Sequence, residues 1–172
     1  SKTQRINIDG ASTPSFTKGN EITQTVASVT HTGRIVSIGS SVTESTSGLT
    51  FEGNTGIGLT PTTGSAFSHT GIGASSVTGI GTGLEATISV QNGSVNTITV
   101  TNGGIGYQVG DALVFNKVGN TGSTVRAFVD SVTNPNLLVV DQVDKNFIVA
   151  NITHVATNGT STVLNAAKIK SV

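Results

Sequence analysis

Isoleucine and valine return at close, mostly alternate positions in short runs along this chain, with Thr, Ser, Gln and Asn filling the places between. The runs include Ile6/Ile8, Ile22/Val26, Ile35/Ile38, Ile88/Val90, Ile98/Val100, Val125/Phe128 and Ile148/Ile152. A period of two collects side chains on one face of an extended strand, and β-branched residues suit a pleated surface. No window carries the three-and-four spacing of an amphipathic helix, so little helix is expected. Turn residues fall between the runs at Asp9-Gly10, Asn92-Gly93, Asn102-Gly103, Asn134-Pro135 and Asn158-Gly159. Each supplies a positive φ or a proline-fixed φ where a strand must stop. The pattern predicts an all-β fold, an antiparallel sandwich or a barrel-like domain.

One hairpin can be read in register. Leu84, Ala86, Ile88 and Val90 alternate with Glu85, Thr87, Ser89 and Gln91, and Asn92-Gly93 follows. A two-residue loop in unbroken register would set Ile88 against Thr97 and turn the apolar sets to opposite faces. A three-residue loop, Asn92-Gly93-Ser94, pairs Ile88 with Ile98 and Ala86 with Val100, and this register is predicted. Between Gly53 and Gly83 the alternation fails, and Thr-Gly-Ile-Gly occurs at Thr55, Thr70 and Thr78. Intervals of 15 and then eight residues do not fit a solenoid, whose repeats stack at a constant period. The segment reads as an extended glycine-rich arm with Ile57, Ile72 and Ile80 as small anchors. Ordering it costs about 1 to 2 kcal/mol per residue of backbone entropy, so an adjacent chain is expected to hold it. The organisation expected is an N-terminal β segment at 1–52, the arm at 53–83 and a β domain at 84–172.

Composition narrows the function. Thr, Ser, Asn and Gly supply 83 of the 172 residues, while charged residues are 10% and the net charge is zero. Hydroxyls and amides keep such a surface wet, and the 35% hydrophobic content argues against disorder. No basic field is present to attract nucleic acid or an anionic membrane surface. No apolar run approaches a membrane span, so neither nucleic acid nor membrane insertion is expected. The lack of cysteine removes disulfides and thiol chemistry and leaves the redox compartment open. The start at Ser1, without Met or an apolar signal segment, reads as a processed chain or an excerpt of a longer one.

Candidate chemistry is sparse. No glycine cluster is followed by Lys-Ser/Thr or completes a dinucleotide fingerprint, and Gly103-Gly104-Ile105-Gly106-Tyr107 lacks the aspartate of a calcium nonapeptide. His31, His69 and His154 stand apart without metal-ligand spacing. Asp141 and Asp144 flank Gln142-Val143 and read as a solvated turn. No serine sits in a nucleophile elbow. The sequons at Asn92, Asn151 and Asn158 fit chance in an Asn- and Thr-rich chain. No catalytic residue, cofactor site or metal site is assigned.

The most distinctive segment runs from Ile98 to Phe115: a strand, a glycine corner with Tyr107, a Gly110-Asp111 turn and a second strand. Asn102-Gly103-Gly104, Gly106-Tyr107, Val109-Gly110-Asp111 and Leu113 follow the pattern NGGxGYxVGDxL. With the preceding strand from Gly81, where Leu84-Glu85 departs from the usual GxGA start, this resembles a module of bacteriophage virion proteins. It is found above all in tail, baseplate and fibre components of cyanophage-like viruses. The resemblance covers residues 81–115. It implies a structural role for Asn102, Gly103, Gly104, Gly106, Tyr107, Gly110 and Asp111, a location in the virion, and a homo-oligomer partnered by its own copies and other virion proteins. It implies no catalytic residues. The rival expectation is a glycan-binding adhesive module of a phage tip or bacterial surface, with a host-surface glycan as partner. An enzyme such as a depolymerase would need paired carboxylates in a cleft, and no spacing places them.

Overall fold

The computed structural model describes residues 2–9, 16–116, 118–120, 124–155 and 163–172. The protein is all-β, with twelve strands and a single 3-10 turn at Val118–Asn120 among the described residues. The chain divides into two compact units: residues 1–40 with 134–172, and residues 41–133. These boundaries differ from the expected breaks at 52 and 83. The reason is that the chain passes between units inside two long strands, Val29–Val42 and Val132–Val143, and not in loops.

The first unit is a closed barrel of β1 (Lys2–Ile8), β10 (Val132–Val143), β3 (Val29–Val42), β2 (Glu21–Val26), β11 (Asn151–Val155) and β12 (Val163–Ser171), in that order around the wall. Ile6, Ile8, Ile22, Ile35, Leu138, Val140, Val143, Phe147, Ile152 and Ile169 fill its interior. The inward rows of β1 and β2 begin or continue with glutamine, and both amides grip the segment after β10. Gln4 Nε2 donates to Phe147 O (3.0 Å) and Gln4 Oε1 accepts from Phe147 N (2.8 Å). Gln24, itself buried, makes the same pair with Ile148 at 2.8 and 2.9 Å. Side-chain amides thus replace a strand partner, and Phe147 is seated in the core. Asn134-Pro135, expected as a turn, lies within β10. The pairing of β10 with β1 runs from Leu137 to Val143, so the proline, which has no N–H to give a ladder, lies before that stretch. Asn158-Gly159 and Gly10 fall outside the described residues.

The second unit is a six-stranded antiparallel sheet in the order β4 (Leu49–Phe51), β9 (Val125–Val129), β8 (Ala112–Phe115), β5 (Phe67–Ser76), β6 (Glu85–Gln91), β7 (Ser94–Asn102). Its core includes Val42, Leu59, Leu84, Ile88, Ile98, Tyr107, Leu113, Phe115 and Val125. The β6–β7 hairpin has the predicted pairs, Ile88 with Ile98 and Ala86 with Val100. The device that creates them differs from the predicted loop. Gln91 pairs with Ser94, so the turn is the two-residue Asn92-Gly93, with φ of 53° and 81°. The register is then shifted between Val90–Val95 and Ser89–Thr97, where Asn96 is the extra residue of a bulge.

The segment 53–83 is no free arm. Its second half contains β5, which pairs with β6 over Phe67–Gly73 and with β8 over Ala74–Ser76. The three Thr-Gly-Ile-Gly copies share a backbone feature: their first glycines, Gly56, Gly71 and Gly79, have φ of 67°, 64° and 75°. At Gly71 this coincides with a bulge in β5, between His69 and Ile72. Thr55 and Thr78 each use the hydroxyl as an acceptor, from Arg126 N (3.0 Å) and Ala112 N (2.8 Å). Of the expected anchors only Ile72 packs against the core, while Ile57 is 71% exposed and Ile80 is also exposed.

Candidate functional site

The seven residues singled out by the resemblance form one corner between β7 and β8. Asn102 Oδ1 accepts from Gly104 N (3.0 Å), closing a short side-chain turn. Gly103 N donates to Glu44 Oε1 (3.2 Å), and Gly103 O accepts from Val42 N (2.9 Å). Gly104 and Gly106 have φ of 64° and 83°, which β-carbons disfavour. Asp111 Oδ2 accepts from Gln108 N (2.9 Å), Gly110 N donates to Val129 O (2.8 Å), and Val129 N to Asp111 O (2.9 Å). Apart from the Glu44 carboxylate these contacts are to backbone, and those of Gly110 and Asp111 tie the corner to β9.

Tyr107 is the centre of the corner, 1% exposed. A β-carbon on Gly81 would strike its ring, and one on Gly104 would lie 2.7 Å from Cε2. Two glycines are therefore the seat of the ring. Gly81 lies in the segment after β5, which is fastened over Tyr107 by Ser76 Oγ donating to Gly81 O (2.6 Å) and by the paired Thr82 and Ile105 (2.9 Å both ways). Sequence reasoning placed Gly81 at the end of the arm and missed this role; the signal was the short distance along the chain from the last Thr-Gly-Ile-Gly to the module. The Tyr107 hydroxyl is buried facing the Leu84 backbone and Ser76, with no bond of full geometry to either; burial raises its pKa above the usual phenol value, and those two contacts pull against the rise.

The histidines are dispersed. His31 donates through Nδ1 to Asn146 O (2.8 Å), beside Asp144, whose Oδ1 accepts from Thr32 N (2.8 Å) and Lys145 N (2.7 Å). The Thr32 bond leads in lowering the Asp144 pKa to about 2. His154 is 1% exposed in the barrel, with Nε2 accepting from Asn20 Nδ2 (2.8 Å) and Phe16 edge-on at 5.2 Å. Its Nδ1 has no partner, and burial lowers its pKa. Among the described residues no three His, Asp or Glu gather as metal ligands.

A cleft of about 490 Å³ opens elsewhere on the second unit, lined by Thr60, Pro61, Ser65, Ala66, Phe67 and His69. Its floor is braced. The Thr60-Pro61 peptide is cis, Gly93 N donates to Pro61 O (2.9 Å), and Leu59 N donates to Gly93 O (2.9 Å). Thr60 Oγ1 donates to Gly119 O (3.0 Å), and His69 Nε2 to Thr60 O (2.8 Å). The Phe67 and His69 rings meet edge-on, with centroids 5.0 Å apart at 60°. Residues of the cleft were invisible as a group from the sequence, since Pro61 and Phe67 looked like isolated interruptions of a glycine-rich stretch.

The class defined by this geometry is an all-β, two-unit protein with a glycine-seated tyrosine corner. No protein-family model, curated protein or solved structure matches the chain.

Proposed function

We propose that this chain is a structural subunit of a bacteriophage particle, associated with the tail as fibre, baseplate or decorating protein. It acts by assembly and surface contact and carries no catalytic step. The observation that supports this reading is the use made of the NGGxGYxVGDxL segment: the polar contacts of Asn102, Gly103, Gly110 and Asp111 named above brace turns or tie the corner to neighbouring backbone and to the Glu44 side chain. A motif spent in this way is framework.

The outer side of the framework supplies a contact surface. Val77, Ile80, Ile105 and Val109 are all exposed, and all lie on the two segments that build the corner. Exposed apolar side chains grouped on one feature suit contact with another copy or another virion protein. Strand addition at β7 is a poorer route, because Val95 N and Val100 N already donate to Thr55 O (3.4 Å) and Ser45 O (3.1 Å). The test combines sedimentation of the isolated chain with its location in an intact particle map. Self-association that Val109→Asp and Ile105→Asp weaken, with the corner buried in the particle, is the expected result. A chain absent from particles and monomeric at all concentrations overturns the reading, as does an enzymatic turnover abolished by one His or carboxylate substitution.

A further inference from the structure

We infer that the cleft beside Phe67 binds a neutral pyranose sugar, stacked on the Phe67 ring. The inference rests on the cleft alone and not on the virion reading.

The first argument is charge. No lysine, arginine, aspartate or glutamate is among the six lining residues, so a phosphate or carboxylate would leave water without a permanent cation to receive it. The second is shape. A volume of about 490 Å³ falls within the roughly 300 to 1,000 Å³ of small-ligand sites. The third is the aromatic. Phe67 is 58% exposed at the start of β5, and its ring meets His69 edge-on, a contact that favours this orientation. A pyranose presents a face of C–H groups that can cover such a ring, and a rim of hydroxyls that must be hydrogen-bonded.

The polar groups of the cleft match that rim. His69 Nε2 faces a carbonyl, which can only accept, so Nε2 carries a proton, and in the neutral ring Nδ1 is then an acceptor. Thr60 Oγ1 gives its proton to Gly119 O and keeps its lone pairs. Ser65 adds a hydroxyl able to give or receive. These acceptors can each take a proton from a sugar hydroxyl, and Ser65 can give one to a hydroxyl oxygen. A hydrocarbon or a plain aromatic ligand would bury these atoms unpaired, at a cost. The braces from Gly93 to Leu59 and Pro61 reduce the ordering that binding must impose.

The experiment titrates the ¹⁵N-labelled chain with the methyl glycosides of galactose, glucose and mannose, read by amide shifts. Saturable shifts confined to residues 60–69, with a Kd on the order of 1 mM for at least one glycoside, are expected. Phe67→Ala should weaken binding by about tenfold or more with the thermal midpoint retained, because the ring is largely exposed. Phe67→Trp should retain binding, which separates loss of a stacking face from a local distortion. The inference is overturned if no glycoside gives saturable shifts, if Phe67→Ala binds as the parent does, or if toluene or inorganic phosphate saturates the cleft and sugars do not. A chain missing from virions that still shows the glycoside shifts keeps the cleft and loses the virion reading.

Discussion

At Tyr107 the ring and the hydroxyl make opposite contributions. The ring fills a seat formed by Gly81 and Gly104, whereas the hydroxyl is buried facing Leu84 and Ser76 without a bond of full geometry. Removing an unsatisfied polar atom while keeping the ring relieves a desolvation cost, so Tyr107→Phe is expected to melt at or above the parent temperature. Gly104→Val should do the reverse, losing on the order of 1 to 3 kcal/mol through a left-handed backbone position and collision with Thr82 O. Denaturant titration of both variants checks the pair; a Tyr107→Phe variant weakened as much as Gly104→Val would contradict the seat. His154 adds a pH dependence. Its pKa is lowered in the fold from the ordinary 6.5, so the unfolded chain binds the proton more readily. The stability it contributes is full above pH 6.5 and erodes as pH falls below that value. Asp144, lowered to about 2 from 3.8, loses its contribution only at still lower pH. Thermal midpoints between pH 7.5 and pH 5 therefore isolate the histidine (about the interval in which imidazole titrates), and His154→Gln should flatten the fall.

Elements are held together here by side-chain amides as well as by strand ladders. Gln24 occupies an inward position on β2 and pairs with both backbone groups of Ile148. Gln24→Leu fits the apolar row but leaves those groups without their partner. A loss of about 1 kcal/mol or more is expected, together with faster amide exchange across 144–149, measured by hydrogen exchange. Unchanged exchange would mean that the segment is held by Gln4 and Phe147 alone. The same comparison shows what a linear reading can see. Alternation located β1, β2, β6, β7 and β9 because one face of each is buried, and the demand that apolar faces match was enough to pair Ile88 with Ile98. The bulge at Asn96 escaped because two different turn devices yield the same pairs. β5 escaped for a different reason: its half-buried row, Ile72, Ala74 and Ser76, is short and mostly small, and the bulge at Gly71 interrupts the period before it. Asn134-Pro135 looked like a turn because dipeptide chemistry does not reveal that the strand begins at Val132, ahead of the stretch from Leu137 that pairs with β1. The corner was legible as glycine, tyrosine and turn, but its lid at 76–84 could only be found once β5 was known to pair with β8.

For the molecule as a whole, the decisive fact is that residues 41–133 form an insertion within the barrel's chain. Its two ends run side by side, since Thr43 N donates to Ser131 O (2.9 Å) and their hydroxyls meet at 2.7 Å. A unit with adjoining ends and its own core is expected to fold alone. A chain of 41–133 should melt cooperatively and keep the tyrosine corner, judged by the buried environment of Tyr107 in near-ultraviolet circular dichroism; a molten product would show that the unit depends on the barrel. The arrangement also settles how tension would travel. A pull entering through β1 and leaving through β12 meets the direct pairing of Asn7 with Ser171 and Ile8 with Ile169, so the load crosses the barrel wall without entering the insertion. Only after those strands part would force reach Ser41 and Thr133, and there it would peel the unit open from its pinned ends one contact at a time, releasing roughly 300 Å of chain. The insertion is in this sense a slack reserve, unloaded until the barrel fails.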